Sequence, residues 1–573
     1  MARVSDVFVE SLVNMGVRQI FGVAGDSLNA ITDSVRRRKD IDWVHVRHEE
    51  AGAFAAGAQA QLTGNLAACA GSCGPGNLHL INGLYDAHRS RAPVLALAAQ
   101  IPTTEIGSEY FQETHPEMVF RECSHFQGVI SQPDEAASVI GSAIDAAVTR
   151  RGVAVVVLPG DIALQRSEVG PAGTTPQARS QGPTPKDDDI AKLVHLVNQA
   201  TRVTILAGSG CTEARTELLE VAGKLRAPIV HTLRGKESLE HDNPFDVGMT
   251  GLIGFSSGYH AMMDADLLLM LGTDFPYRQF YPENARKVQV DIEAGHIGRR
   301  TRVDLGVVGD VGSTLRAVSP RIVPKTDGTH LDASLRHYQK SRESLDELAA
   351  GGSGNSPIHP QYVVRLLDGL ASADAVFTCD VGLPTIWAAR YLRMNGRRRL
   401  LGSFWHGTMA NALPQAIGAK YAEPGRQVVS LSGDGGLAML FGELLTLRQL
   451  QLPVKVIVFN NGSLGLVRLE QMIAGFLETG VDLTNPNFAS VANAVGILGL
   501  RAELPDEVGP KIAELLAHTG PALLDVVVSH DEVAMPPSLE RSVVKGFSVW
   551  LIKAVLSGRG DEIVDLAKVN LFR

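Results

Sequence analysis

Two apolar runs, each ending in a polar residue set among glycines, constrain this chain more than any other feature. The run from Val428 ends in Gly433-Asp434-Gly435-Gly436, and Val454 to Phe459 ends in Asn460-Asn461-Gly462. Only Lys455 interrupts the second run. Short apolar runs of this kind mark strands buried on both faces. Between them, Leu437, Leu440, Phe441, Leu444 and Leu445 give a helical apolar face. The stretch therefore reads strand–helix–strand, and a right-handed crossover lays the two strand ends side by side. Asp434 and Asn461, 27 residues apart, then share the sheet edge where ligands of open α/β sheets collect. One carboxylate, one amide oxygen and a nearby backbone carbonyl form a hard, oxygen-only set that suits Mg²⁺ and leaves room for phosphate and water. The glycines allow close approach of a diphosphate, and helix N-termini supply N–H donors.

The same alternation fills the chain. Runs at 20–25, 66–71, 94–99 and 153–161 read as strands, then again at 203–210, 227–232, 265–274, 287–293 and 306–311, and finally at 375–382, 428–436, 454–461 and 522–529. With 573 residues, one core is too few. The expected fold is α/β, three doubly wound domains with mainly parallel sheets spanning 1–182, 183–335 and 336–531, followed by a different tail at 532–573. Soft stretches rich in Pro, Gly and Ser at 166–189 and 348–360 separate them. A net charge of −9 argues against nucleic acid as partner. Five scattered cysteines form no disulfide framework and point to a reducing compartment. Met1–Val23 shows helical spacing interrupted by Glu10, which is no signal peptide, and no run is long enough to span a bilayer.

GDGG followed by NN resembles the motif of the thiamin-diphosphate-dependent enzymes. That resemblance implies Mg²⁺ held by Asp434, Asn461 and the Ser463 carbonyl, with Gly435, Gly436, Gly462, Leu464, Gly465, Leu466 and Val467 lining the cofactor groove. It also implies a distant glutamate bonded to the pyrimidine ring. "RHEEAGAFAAGAQAQLTG" at 47–64 supplies it, and alignment points to Glu49, with Glu50 left to meet the helix dipole. The Gly-Pro-Gly turn in "SCGPGNLHL", the Phe111-Gln112 pair, and Gly407, Thr408 and Met409 in "GTMANALP" match further family segments. Phe111, Gln112 and Leu466 would border the reacting carbon. Met409 would prop the cofactor into its bent shape; an ordinary core methionine is the competing reading.

The middle segment opens with Gly208-Ser209-Gly210, but Glu213 stands where a dinucleotide fingerprint has its third glycine, so this motif alone says little. The segment resembles the FAD-binding domain of the flavin-containing branch. By that resemblance Thr250, Gly251, Leu252, Ile253, Thr273, Asp274, Phe275, Pro276, Tyr277 and Asp291 contact FAD; a vestigial spacer is the alternative. In the tail, Ile563, Val564, Ala567 and Leu571 form an amphipathic stripe, fit either to dock on the protein or to lie in a bilayer interface. The ending is similar to that of bacterial pyruvate oxidases that reduce a quinone. It implies a homotetramer, a dimer of dimers, on the inner face of the cell membrane. Such an enzyme converts pyruvate to acetate and CO₂ and passes electrons through FAD to ubiquinone or menaquinone. A carboligase making acetolactate and an oxygen-dependent oxidase are the alternatives. Leu466 and Arg468 depart from close relatives, which place an aromatic and a small residue there.

Overall fold

A computed structural model describes residues 1–173, 182–352, 354, 356–532 and 541–556. Three six-stranded sheets follow one another along the chain, and every pairing within them is parallel. The first runs Asp42–His45, Gln19–Gly22, Ala67–Gly71, Val94–Gln100, Val153–Pro159, Phe126–Val129 across its width. The third runs Arg399–Gly402, Val376–Cys379, Val428–Gly433, Val454–Asn460, Ala522–Val527, Leu498–Ala502. Numbered within each domain, both orders are 2-1-3-4-6-5. The middle sheet runs Asp246–Met249, Ile229–His231, Val203–Ala207, Leu267–Leu271, Arg286–Asp291, Leu305–Val308. That is the order 3-2-1-4-5-6 of dinucleotide-binding sheets. The helix Thr329–Leu348 runs through position 335, where the second expected domain hands over to the third.

The central strands are continuous apolar runs because helices cover both faces. Leu267–Leu271 and Val153–Pro159 are buried at every position. All five cysteines are buried free thiols.

The first and third domains share one core. Helix Glu49–Thr63 is almost wholly Ala and Gly along its buried face, which lets it approach Pro75–Arg89 and Ala412–Ala422 closely. A Cβ on Gly83 would lie 2.6 Å from Ala53 Cβ, and one on Gly418 would lie 2.0 Å from the Ala55 carbonyl oxygen. Polar links reinforce the contact. Gln415 Nε2 donates to Asp86 Oδ2 at 3.0 Å, with both side chains buried. The backbone N–H groups of Arg47 and His48 donate to Glu443 Oε1.

Gly418→Ala should therefore destabilise the protein by roughly 1–3 kcal/mol, the cost of overpacking a filled contact. Gly369→Ala, in a helix with nothing within 4 Å of the new methyl, should be neutral or stabilising by up to ~1 kcal/mol. Urea denaturation of the two variants checks the contrast.

Candidate cofactor site

The parallel register pairs Gly433 with Phe459 and thereby brings the two polar strand ends together. Asp434 is 2% exposed. Its Oδ1 accepts from Gly435 N at 2.9 Å; its Oδ2 accepts from Gly462 N at 2.7 Å and from Asn485 Nδ2 at 2.8 Å. Burial pushes its carboxyl above the ordinary range, and those donors oppose the shift. Asn461 Oδ1 accepts from Ser463 N at 3.2 Å. Residues 481–483 strap the turn: Leu464 N donates to Val481 O and Leu483 N to Gly462 O, both at 2.8 Å. The N-terminus of helix Gly465–Ala474 opens beside this turn.

Three residues of this site escaped the sequence reading. Asn485 also donates to Asn460 Oδ1 at 3.0 Å, and Asn460 Nδ2 donates to buried Asp525 at 3.0 Å. His530 Nδ1 lies 2.8 Å from the Asn461 carbonyl oxygen. Asp380, at the end of Val376–Cys379, is 1% exposed. Its Oδ1 accepts from Ala412 N at 3.0 Å, while its Oδ2 is buried without a partner, 2.4 Å from where a Cβ on Gly436 would stand. The signal for Asp380 was present as "TCDVG", an acid at a strand end.

Gly435 and Gly436 thus line a cradle that side chains would fill. A Cβ on Gly435 would meet Leu464 at 2.8 Å and Met409 Cε at 3.6 Å, so Met409 reaches the GDGG turn. Thr408 Oγ1, next to Gly407, accepts from Asn82 Nδ2 at 3.0 Å. The donor set and the cradle fit a Mg²⁺-bound diphosphate. Ser463 Oγ is likewise buried without a partner.

The second cluster surrounds the Gly-Pro-Gly turn. Glu49, 7% exposed, is the first residue of its helix. Oε2 lies 2.9 Å from His79 Nδ1, and Oε1 lies 2.9 Å from where a Cβ on Gly76 would stand. Gln112 has φ 64° and accepts from Cys73 Sγ at 3.3 Å; its Cβ lies 2.8 Å from a Cβ built on Gly74. Glu49 and Gln112 therefore flank one turn, while Phe111 is 76% exposed on the surface of the single chain. Glu50 does not simply meet the helix dipole: His48 caps the helix, and Glu50 Oε1 accepts from Asn82 Nδ2 at 2.7 Å.

In the middle domain, the loop after Asp246–Met249 meets the loop after Leu267–Leu271. Gly251 has φ 98°, and a Cβ there would lie 3.0 Å from Phe275 and 3.7 Å from Tyr277. Thr250 and Thr273 are buried, Leu252 is exposed, and Thr250 Oγ1 has no partner. Arg390 Nε donates to the Ile253 carbonyl at 3.0 Å, tying this loop to the third domain. Asp274 pairs with Arg299 and Arg300, and Asp291 Oδ1 accepts from Glu293 N at 2.9 Å and faces His296 at 3.2 Å. Pro276 lies between Phe275 and Tyr277. An orphaned hydroxyl and a glycine cradle fit an extended polar cofactor such as FAD. The switch point itself is closed, since a Cβ on Gly208 would lie 2.4 Å from Gly272 O.

Leu466 packs on the third-domain core, and Val467 is exposed. Arg468 turns away: its NH1 donates to His530 O and to Asp531 Oδ1, both at 3.0 Å, and its Nε lies 3.7 Å from Glu478. Helix Arg541–Leu556 packs on the same helix, setting Trp550 and Ala554 against Met472, with Lys553 Nζ donating to Gly475 O at 2.7 Å. The amphipathic stripe at 563–571 lies outside the described residues. Among the described residues no helix is long and apolar enough to cross a membrane.

Residues 2–119, 190–318 and 380–526 match the N-terminal TPP-binding, central and C-terminal TPP-binding domains of the thiamine pyrophosphate enzymes. The chain belongs to that family. A Bacillus subtilis (strain 168) protein whose name describes it as thiamine pyrophosphate-containing is 35% identical over 562 residues, 98% of this chain and 97% of that one. Pyruvate oxidase of Lactiplantibacillus plantarum is 31% identical over 534 residues, covering 91% and 88%. Acetolactate synthase 2 of Zea mays is 31% identical over 553 residues, covering 93% and 86%.

Burial raises the Asp380 carboxyl to about 7 from the usual 3.8. The folded protein therefore keeps this proton up to about pH 7, whereas the unfolded chain loses it near pH 4. The associated stability is complete below pH 4 and is lost as pH rises through 7. Asp380→Asn should remove that dependence and raise the stability of the cofactor-free protein at pH 8, by up to ~4 kcal/mol, with little gain at pH 4.5. Melting temperatures of both proteins across that range provide the check.

Proposed function

We propose that this enzyme oxidatively decarboxylates pyruvate to acetate and CO₂ and passes the electrons through FAD to a membrane quinone, ubiquinone or menaquinone. The observation that carries the reading is the position of helix Arg541–Leu556, docked on the helix that begins at Gly465 beside the metal turn. A terminal segment placed there can sense the site and can also leave it for a phospholipid surface. In the middle domain, the buried and unpartnered Thr250 hydroxyl beside the positive-φ Gly251 supports the flavin.

Asp434, Asn461 and the Ser463 carbonyl would hold Mg²⁺, with Gly435, Gly436 and Gly465 clearing space for the diphosphate. Glu49 would hold a proton at the pyrimidine nitrogen. Phe111, Gln112 and Leu466 would border the substrate. Bound there, thiamin diphosphate supplies the carbon nucleophile and electron sink for decarboxylating a 2-keto acid, and FAD the two-electron acceptor. The apolar side chains left open by one chain, Phe111 at 76% and Met439 at 58% exposure, suit burial by a second copy. The proposed assembly is a homotetramer, on the inner face of the cell membrane.

The acetolactate synthase likeness keeps carboligation as a second reading, and the pyruvate oxidase likeness keeps oxygen as an acceptor. Turnover of pyruvate with thiamin diphosphate, Mg²⁺ and FAD separates them. Anaerobic pyruvate should bleach the flavin, and acetate should appear only with a quinone analogue; acetolactate as sole product overturns the proposal. Glu49→Gln should still bind cofactor while turnover falls by ~10² or more. Removing 550–573 should abolish activation by phospholipid vesicles while soluble electron acceptors still work; retained vesicle binding contradicts the tail assignment.

A further inference from the structure

The role given to Glu49 uses one carboxylate oxygen and leaves the other to be explained. Oε1 faces the Gly74-Pro75-Gly76 turn. Oε2 is 2.9 Å from Nδ1 of His79, in the second turn of helix Pro75–Arg89. The glutamate side chain is 9% exposed and the imidazole 46%. His79 also stacks on His48, ring centroids 4.3 Å apart and planes 24° from parallel. Nδ1 of His48 accepts from Glu50 N at 3.3 Å, so that nitrogen carries no proton. Burial, then the proximity of His79, holds His48 below the ordinary histidine range. His48 is thus a neutral plate against which the His79 ring lies flat.

A carboxylate torsion is broad and roughly two-fold, so one oxygen can be fixed only if the other is held. We propose that His79 is the positioning residue for Glu49. Its Nδ1–H holds Oε2, so that Oε1 stays aimed at the turn where the cofactor ring is expected. Its exposed edge links the buried carboxyl to solvent protons. Sequence alone gives no hint of this, because 30 residues separate the partners. The proposal rests on the reading of Glu49 above. A small misplacement of a catalytic group can cost orders of magnitude in rate, so the effect should be large although His79 acts through Glu49.

The test compares His79→Ala, His79→Asn and Glu49→Gln in the full chain loaded with thiamin diphosphate and Mg²⁺. The readout is deuterium exchange at the cofactor's C2, followed by acid quench and proton NMR, alongside cofactor affinity by calorimetry. His79→Ala should slow exchange ~10-fold or more, the scale of a disturbed acid–base group, with affinity within about threefold, a change of under ~1 kcal/mol. His79→Asn, whose side-chain N–H can take the place of Nδ1–H, should recover most of the rate. In the cofactor-free protein, Glu49→Gln should shift the His79 imidazole nitrogen resonances. Wild-type exchange in His79→Ala, or Asn no better than Ala, overturns the proposal. If Glu49→Gln slows exchange but His79→Ala does not, only the His79 role falls; if Glu49→Gln has no effect, the reading of Glu49 falls with it.

Discussion

A carboxylate buried at the end of a parallel strand is the constraint on which the site depends. An unpaired charge at the position of Asp434 would be too costly to keep. It is tolerated because both its oxygens meet N–H groups of Gly435, Gly462 and Asn485. Each donor has its own requirement. Gly462 N arrives only through the Gly433–Phe459 register. Asn485 is steered by Asn460, and Asn460 by Asp525, a carboxylate that is itself fully buried. The sheet, its two turns and the 485–488 segment are therefore one arrangement around one charge. Carboxylate lone pairs not taken up by N–H groups remain for a cation.

The second carboxylate, Glu49, is placed by different means. Its helix is positioned by close packing of Ala and Gly rather than by polar bonds. That packing joins two domains with the same strand order, and Glu443 stitches them by receiving N–H groups from Arg47 and His48, just before the helix begins. Anything that opens the 49–63 and 412–422 contact should displace Glu49 before it disturbs Asp434. The C-terminal segment adds a third link, since His530 touches the Asn461 carbonyl and Arg468 grips residues 530 and 531. Arg468, the departure noted in the sequence, serves this link.

Much of the fold was legible because buried parallel strands are written as apolar runs. Within the three large sheets, the strands that left no clear run, Asp42–His45, Phe126–Val129, Asp246–Met249, Arg399–Gly402 and Leu498–Ala502, all lie at sheet edges. An edge strand has one open side and tolerates polar residues, so its sequence carries less signal. Candidate residues carried by a motif, such as Asp434, Asn461 and Glu49, could be proposed from the resemblance. Asn485, His79 and His530 could not, because their meaning lies in contacts between segments far apart in sequence. Glu50 shows the same limit: its helix-terminal position was visible, but its partner Asn82 was not.

The central claim is that residues 434 and 461 form the metal anchor of the cofactor. Anomalous diffraction from crystals of the full chain grown with thiamin diphosphate and Mn²⁺ in place of Mg²⁺ tests it most directly. The account predicts a single strong peak about 2.0–2.3 Å from Asp434 and Asn461 side-chain oxygens, bridging to the diphosphate. A metal peak elsewhere, or diphosphate bound away from the Gly435-Gly436 turn, would contradict it.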